Sequence, residues 1–285
     1  MSFKIVADSS CDVIDEFREW DNFCTVPLTL QINDYIIQDD EDFDQDDFIA
    51  RMNANGGLAK SACPSPEALK EACEGDWDEV YIITITDKLS GSYNSALQGK
   101  LLYEEEYNDE KKIYVFNSLA TSGLETLAVL KIHELASQGM SFDDVCDTVD
   151  DYISNHEGLY FCLESLNALK SNGRLFALAA KVLEKIRVKL VCKRNEEGNI
   201  SLAGQDLTTN RALIKMVDFI AEEVKDKELE NEWVFITHVC CPEKAEFIAD
   251  KFREKTAYKN IRIIKASGLN SLYASDGGII VSYTF

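Results

Sequence analysis

Seven consecutive residues in the first third of the chain, Val80–Thr86 (VYIITIT), are all β-branched or aromatic. An uninterrupted run of this kind is typical of a strand that is buried on both faces, as in a parallel sheet covered by helices. Other runs rich in apolar and β-branched residues lie at Phe3–Ala7, Cys24–Ile32 and Ile113–Phe116. Because helical patterns separate these runs, the first half of the chain is predicted to be an α/β layer with a parallel sheet.

Helix signals between the strands support this prediction. The clearest is Ser65-Pro66-Glu67, where the serine is a favoured N-cap, the proline suits the first turn and the acid complements the positive end of the helix. This helix is predicted to run to about Cys73. Other helices of the first half are predicted over residues 43–52, 93–105, 124–137 and 141–154.

The second half of the chain carries a different pattern. Two β-rich segments, Val188–Arg194 and Ile200–Leu207, flank a turn-rich stretch and predict an antiparallel hairpin. Further strands are predicted at 159–163, 233–237, 261–265 and 278–284, and helices at 165–180 (interrupted near 172), 210–224 and 242–256. A chain of 285 residues is longer than an average domain. We therefore predict two domains, an N-terminal parallel-sheet α/β layer over 1–158 and a C-terminal α/β (α+β) domain over 159–285.

The charge of the chain restricts its partners. It has 29 basic and 51 acidic residues, and so a net charge of −22. Such a surface repels phosphate backbones, which argues against nucleic acid as a partner, and it allows at most transient contact with an anionic membrane. The acids are spread along the chain, with local clusters such as Asp39–Glu41, and we interpret them as a solubility feature.

The cysteines and the N-terminus suggest a cytoplasmic protein. The nine cysteines are odd in number, form no CxxC pair and lie mostly in apolar segments, where free cysteine behaves as a small hydrophobe. The first residues form a strand pattern rather than a signal peptide, and no apolar run is long enough to span a bilayer.

Two loops share a design that suits an anion. Ser61–Pro66 and Ser90–Ser95 each place small hydroxyl residues at the start of a helix, where free N–H groups and the helix dipole favour negative charge. One such loop alone would be an ordinary N-cap, but its recurrence, together with serines at 9–10 and 118–122, favours a ligand site. The chain has neither a P-loop nor a GxGxxG motif, so the pattern fits a single carboxylate or phosphate better than a nucleotide.

An enzyme is the alternative hypothesis. Cys63 stands before a helix start and could act as a nucleophile, as could a serine of the same cleft, in a small-molecule hydrolase or transferase. A base would be needed, and His238 is the histidine that could face a cleft, whereas His133 lies in an amphipathic helix and His156 in a polar loop. His238 and the two cysteines that follow Val239 match no common zinc spacing, so no metal is expected.

Four segments, in their order and spacing, resemble the DegV family over essentially the whole chain. They are Phe3–Asp12 (FKIVADSSCD), Ser61–Pro66 (SACPSP), Leu89–Ala96 (LSGSYNSA) and Leu166–Arg174 (LNALKSNGR). Arg211 falls where the family has a second basic residue after its hairpin.

The resemblance implies a bacterial carrier, not an enzyme, that encloses one long-chain fatty acid such as palmitate, stearate or oleate in a tunnel between two domains. The carboxylate would be held by the hydroxyls of Ser61 and Ser90 and by the N–H groups of Gly91 and Ser92. No cofactor is implied.

The resemblance also implies a partner, a fatty acid kinase that phosphorylates the bound acid for phospholipid synthesis, with Arg174 and Arg211 as contacts to that kinase. This sequence departs from the family pattern where Tyr273 replaces a histidine of the C-terminal element. A phenol can donate a hydrogen bond to a carboxylate but supplies no positive charge. Ser61 and Cys63 replace the family's usual threonine and glutamine. Leu175–Val188 and the apolar face of 124–135 are candidates for the tunnel lining.

Overall fold

The computed structural model describes residues 2–107, 111–175 and 188–285 of the chain. Its N-terminal sheet is built from four strands: β1 (Phe3–Asp8), β2 (Phe23–Val26), β6 (Glu79–Thr84) and β7 (Lys112–Asn117). Their order is β2, β1, β6, β7, and every neighbouring pair is parallel. The predicted parallel sheet is confirmed.

Helices cover both faces of the N-terminal sheet. Val6 and Ile82 point to one face of the sheet, on which the helices Pro66–Ala72 and Ser92–Tyr107 pack. Ile5 and Ile83 point to the other face, on which the helix Gly123–Ser137 packs. The described helices of this half are α1 (Asp15–Arg18), α2 (Gln45–Ala54), α3 (Pro66–Ala72), α4 (Ser92–Tyr107), α5 (Gly123–Ser137) and α6 (Phe142–Asn155). Because helices cover both faces of the sheet, the middle residues of β1 and β6 are apolar on either side of the strand.

A small antiparallel sheet beside the first was not predicted. Its strands are β3 (Thr29–Ile32), β4 (Tyr35–Gln38) and β5 (Lys60–Ala62), in the order β4, β3, β5. The prediction of one strand over Cys24–Ile32 was wrong, because the chain leaves the N-terminal sheet at Pro27 and β3 starts a new one. Proline has no N–H to donate to a ladder, so it ends a strand of this kind.

The C-terminal sheet has six strands. They are β8 (Glu157–Cys162), β9 (Lys189–Arg194), β10 (Ile200–Asp206), β11 (Trp233–His238), β12 (Asn260–Lys265) and β13 (Ile279–Thr284). The order is β10, β9, β8, β13, β11, β12, and only the last pair is parallel. The predicted hairpin is β9–β10. The C-terminal sheet starts at Glu157, so the predicted boundary between residues 158 and 159 falls inside β8.

Helix α5 joins the two halves. It packs on β1 and β6 of the N-terminal sheet and on β8, β11 and β13 of the C-terminal sheet. One cluster of buried side chains therefore runs through both halves. At the start of α5, a side chain on Gly123 would meet Phe235 and Ser282 at 3.0 Å, so only glycine allows this close packing of helix on sheet.

The remaining described helices are α7 (Asn167–Ser171), α8 (Thr209–Val224), α9 (Pro242–Lys255) and α10 (Gly268–Ala274). The predicted helix over 165–180 is represented by α7, and its part from residue 176 onward lies outside the described residues, as does most of the candidate tunnel lining at 175–188. All nine cysteines are free thiols. In the part of the chain that the structure describes, no helix is both long and apolar enough to cross a bilayer.

Candidate functional site

A cavity of about 290 Å³ lies between the N-terminal sheet, the C-terminal sheet and α10. The loops after β6 and β7 supply one wall, at the carboxyl ends of parallel strands, where α/β folds bind ligands. Strands β8 and β13 supply the opposite wall with large apolar side chains. The apolar lining includes Ile85, Leu89, Leu119, Leu159, Phe161, Leu163, Leu269 and Ile280.

The charged residues that the structure describes on the cavity wall are all positive. Among the described lining residues, Arg174 and Arg194 are the charged ones, and none is an aspartate, glutamate, lysine or histidine. In a chain with a net charge of −22, a mainly apolar cavity whose charged described residues are both arginines is suited to an anion with a long apolar part.

Two hydroxyl groups from distant parts of the chain meet at the cavity wall. The Ser61 Oγ lies 3.0 Å from the Tyr273 phenol oxygen, and either can donate the hydrogen bond. Ser61 stands on β5, opposite Leu30 of β3, and Tyr273 stands on α10. Both line the cavity, so this part of the predicted carboxylate site is brought together.

The second predicted loop also reaches the cavity, but its residues differ in what they offer. Ser90 and Gly91 line the cavity. Ser92 is buried behind them: its N–H donates to the Ser90 Oγ over 3.2 Å, and its hydroxyl hydrogen-bonds to Asp8. The Ser92 N–H is therefore already used within the protein, which leaves Gly91 as the backbone donor that the sequence analysis predicted.

The two arginines assigned to a kinase contact occupy different places. Arg174 lines the cavity, donates from Nε to the Leu89 carbonyl over 3.1 Å, and has its guanidinium carbon 5.9 Å from the centre of the Tyr273 ring. Arg211 lies outside the cavity, on α8, where it pairs with Asp206 at 3.1 Å and its side chain stays 68% exposed. Arg174 is thus placed beside the hydroxyl pair, and Arg211 faces solvent.

The enzyme hypothesis requires a base near Cys63, and the described residues that line the cavity include no histidine, aspartate, glutamate or lysine. The Cys63 Sγ lines the cavity and lies 3.7 Å from the Ser95 Oγ. The structure does not bring His238 to it, because His238 lies at the end of β11 and accepts a hydrogen bond from the Cys241 N–H. His133 stacks on an indole, and His156 pairs with an exposed aspartate. Within the described ranges, no group of three or more His, Cys, Asp or Glu side chains is placed to hold a metal ion.

Buried acids that the sequence analysis missed hold α10 in place. Asp39 accepts the N–H groups of Gly268 and Leu269 at 2.7 and 2.8 Å and the Ser9 hydroxyl at 2.8 Å. Burial raises the pKa of Asp39 to about 7, although these hydrogen bonds oppose the increase. The prediction that Asp39 belongs to a solubilising acidic cluster is wrong, because its side chain is buried. Its place at the end of a short strand, next to exposed acids, gives no signal of burial.

A second buried acid holds the same helix. Asp12 accepts the N–H of Ser267 at 2.8 Å and the side-chain amide of Asn270 at 2.9 Å. Asn270 lines the cavity and accepts the hydroxyl of Thr121 at 2.8 Å. The Asp-Ser loop after β1 therefore supports the cavity from behind rather than lining it.

Beside this loop, two carboxyl groups share one serine. The Ser10 hydroxyl contacts both Asp8 and Glu125, although it has only one proton to donate. Burial and the neighbouring charge of Asp8 raise the pKa of Glu125 well above its usual range. One carboxyl of the pair must therefore carry a proton, because two ionised carboxylates in this buried space would repel each other.

Comparison with known proteins identifies the family of this chain. A model of the DegV family, whose members it describes as uncharacterised, matches residues 2–284. The chain belongs to the DegV family. A DegV domain-containing protein of Streptococcus pyogenes is 35% identical over an alignment of 285 positions, which covers 99% of each chain.

Solved DegV structures share the fold over their whole length. A DegV-family protein of Ruminococcus gnavus, refined with vaccenic acid, is 36% identical with a TM-score of 0.93, and the match covers 99% of both chains. The fatty acid kinase (Fak) B3 protein of Streptococcus pneumoniae, loaded with linoleic acid, is 32% identical with a TM-score of 0.87, and the match covers 100% of this chain and 99% of that one. The two-domain α/β architecture is thus that of other DegV proteins.

Proposed function

We propose that this chain is a carrier that binds a single long-chain fatty acid in the cavity between its two halves. The observation that carries the proposal is the composition of the cavity wall. Most of its surface is apolar, and among the lining residues that the structure describes the charged ones are arginines. Bound fatty acids in DegV relatives, vaccenic acid in one and linoleic acid in another, support the same ligand class. A fatty acid matches both features, because its tail needs apolar surface and its head is an anion.

The head group belongs at the hydroxyl pair. Ser61 and Tyr273 hydrogen-bond to each other, and each can turn its proton toward a carboxylate oxygen instead. Ser90 and Gly91 lie on the same wall. The Arg174 guanidinium beside the Tyr273 ring supplies the positive charge that a phenol lacks. Hydrogen bonds to a charged acceptor in an apolar cavity are stronger than those between neutral groups.

The tail accounts for most of the affinity. Each methylene that leaves water for the apolar lining contributes about 0.8 kcal/mol, so a chain of sixteen carbons gains on the order of 10 kcal/mol before the costs of ordering. The wall formed by Leu159, Phe161 and Ile280 is suited to this role. Palmitate, stearate and oleate are the ligands that we propose.

The proposed partner is a fatty acid kinase that phosphorylates the carboxylate of the bound acid. The relation to a fatty acid kinase B3 protein supports this partner. Arg211 is exposed and lies outside the cavity, so it is free to contact another protein, whereas Arg174 would serve both the head group and the kinase. The free thiols fit a reducing cytoplasm, which we infer as the location.

Native mass spectrometry tests the binding proposal directly. The chain is purified from a heterologous host, weighed with and without added palmitate, and its lipid is extracted and analysed. We expect one fatty acid per chain, and a lower occupancy in a Ser61→Ala, Tyr273→Phe double variant. Ser141→Ala removes a serine hydroxyl that caps α6 and should keep full occupancy. A ligand-free mass that palmitate does not change would contradict the proposal.

The kinase contact needs a separate measurement. Arg211→Glu should leave palmitate binding unchanged and abolish formation of acyl phosphate when kinase and ATP are added. Arg174→Ala should weaken both binding and phosphorylation, since this residue lines the cavity. If Arg211→Glu supports phosphorylation at the normal rate, this face does not contact the kinase.

A further inference from the structure

A closed path of contacts links the two head-group hydroxyls through a residue that touches neither. Ser61 on β5 pairs with Leu30 on β3, and Leu30 pairs with Ile37 on β4. Two residues further on is Asp39. Its carboxylate accepts hydrogen bonds from the first N–H groups of α10. Helix α10 also carries Tyr273, whose phenol oxygen lies 3.0 Å from the Ser61 Oγ.

The Asp39 link is held firmly at both ends. The Asp39 N–H donates to the Leu28 carbonyl over 2.9 Å. The Ser9 hydroxyl donates a hydrogen bond to the Asp39 carboxylate and accepts one from the Leu28 N–H at 3.0 Å. On the other side, a Cβ at Gly268 would lie 2.4 Å from the Asp39 Oδ1. The approach of the helix to the carboxylate therefore requires glycine at this position.

Asp39 differs in this respect from the other acid that holds α10. Asp12 follows β1 of the N-terminal sheet and has no path through the small sheet to Ser61. Of these two acids, only Asp39 connects the small sheet, which carries Ser61, to α10, which carries Tyr273. A change at Asp39 therefore alters the position of one hydroxyl relative to the other.

We propose that Asp39 is a positioning residue for the head-group site: it sets the separation of the Ser61 and Tyr273 hydroxyls, and so the affinity for the carboxylate of a fatty acid. The inference rests on the proposed function. Asp39 is buried and is absent from the cavity wall, so it acts through the two hydroxyls rather than on the ligand.

A double-mutant cycle with palmitate distinguishes positioning from a general structural role. Asp39→Asn keeps the shape of the side chain but removes its charge and one acceptor. We expect it to weaken palmitate binding about tenfold, in line with loss of a charge-assisted hydrogen bond. In a Tyr273→Phe background the same change should have an effect of less than about twofold, because the hydroxyl that it positions is gone. Equal effects in both backgrounds, or unchanged affinity in the single variant, would overturn the proposal.

Hydrogen exchange gives a readout that needs no ligand. In the free protein, Asp39→Asn should speed exchange in α10 and in β5 together, although they are about 200 residues apart. Asp40→Asn is the matched control: it removes the same charge from the next, exposed residue and should change neither segment nor the affinity. Faster exchange in α10 alone would contradict the link to Ser61.

These two readouts separate failure of the inference from failure of the proposed function. A wild-type protein that binds no fatty acid would refute the carrier function, while exchange would still decide whether Asp39 couples β5 to α10. If Asp39→Asn does not fold, Gly268→Ala displaces the same carboxylate by steric contact, and the same cycle with Tyr273→Phe applies.

Discussion

The hydroxyl of Ser61 lies 3.0 Å from the phenol of Tyr273, although the two residues are 212 positions apart in the chain. One belongs to a three-residue strand of the small sheet and the other to a seven-residue helix next to the C-terminal sheet. The contact places two hydrogen-bond donors on the wall of an apolar cavity. It is the point at which the two halves of the molecule meet at the proposed head-group site.

Tyr273 should be replaceable by histidine but not by phenylalanine. Tyr273→Phe removes one hydrogen bond to the carboxylate and should weaken palmitate binding by about five- to tenfold. Tyr273→His restores a donor, and its affinity should rise as the pH is lowered from 8 to 6, because an imidazolium adds positive charge. Calorimetric titration at the two pH values measures this. A phenylalanine variant with wild-type affinity would exclude Tyr273 from the head-group site.

Ligand should protect Cys63 from alkylation. The thiol lies on the cavity wall, beside Gly91, whose added Cβ would lie 3.2 Å from the sulfur. At palmitate concentrations ten times the Kd, about one site in eleven stays empty, so maleimide labelling of Cys63 should slow about tenfold. Peptide mapping follows the label, with Cys63→Ser as the blank. Labelling at the same rate with and without ligand would place the fatty acid elsewhere.

Stability should fall as the pH rises toward 9, and Glu157 should be a main cause. Among the described residues neither of its carboxyl oxygens has a hydrogen-bond donor. Burial raises its pKa to about 8, and Arg194 offsets this only in part. A raised folded-state pKa means that the protonated form is favoured in the native protein. This stability is fully present below the unfolded value near 4.5 and is lost as the pH rises through about 8.

Glu157→Gln keeps the shape of the side chain without the charge, and urea unfolding between pH 5 and 9 measures the consequence. The variant should match the wild type within about 1 kcal/mol at pH 5 and exceed it by several kcal/mol at pH 9, since one pKa unit corresponds to about 1.4 kcal/mol. Glu228→Gln, at an exposed position, should give a constant difference at all pH values. A constant difference for Glu157→Gln as well would show that this carboxyl is ionised throughout.

Truncation of the cavity wall should change the choice of tail. Ile280 on β13 faces the cavity, and its neighbour Val281 faces the opposite side of the sheet. Ile280→Ala and Val281→Ala should both destabilise the fold, by about 2 to 4 kcal/mol for the isoleucine and less for the valine. Only Ile280→Ala should shift the extracted fatty acids toward longer or more strongly bent chains. Identical lipid profiles for the two variants would show that Ile280 does not contact the tail.

The sequence predicted the parts of the fold whose signals are local. Val80–Thr84 of β6 is buried throughout because helices cover both faces of the strand, and its β-branched and aromatic composition is visible without a structure. The Ser65 cap and the β9–β10 hairpin are similar cases, in which a few neighbouring residues determine the geometry. The hydroxyl loops were recognised for the same reason.

What the sequence did not reveal depends on distant contacts. The strands of the small sheet are three or four residues long, too short for a periodic pattern. Asp39 lies in an acidic run that is typical of a surface, and distant residues help to bury it, among them Gly268, 229 residues later. Helix α10 carries almost no polar face, because it is enclosed on nearly all sides. A pattern of exposed and buried residues could therefore not indicate it.

A crystal structure of the protein with palmitate would show where each end of the fatty acid binds. We expect a carboxylate within hydrogen-bond distance of the Ser61 Oγ and the Tyr273 phenol, close to Arg174, and a tail that runs along Leu159, Phe161 and Ile280. A fatty acid bound in the reverse direction, with its carboxylate on Arg194, would contradict the assigned head-group site. A cavity left without ligand at saturating palmitate would contradict the carrier function itself.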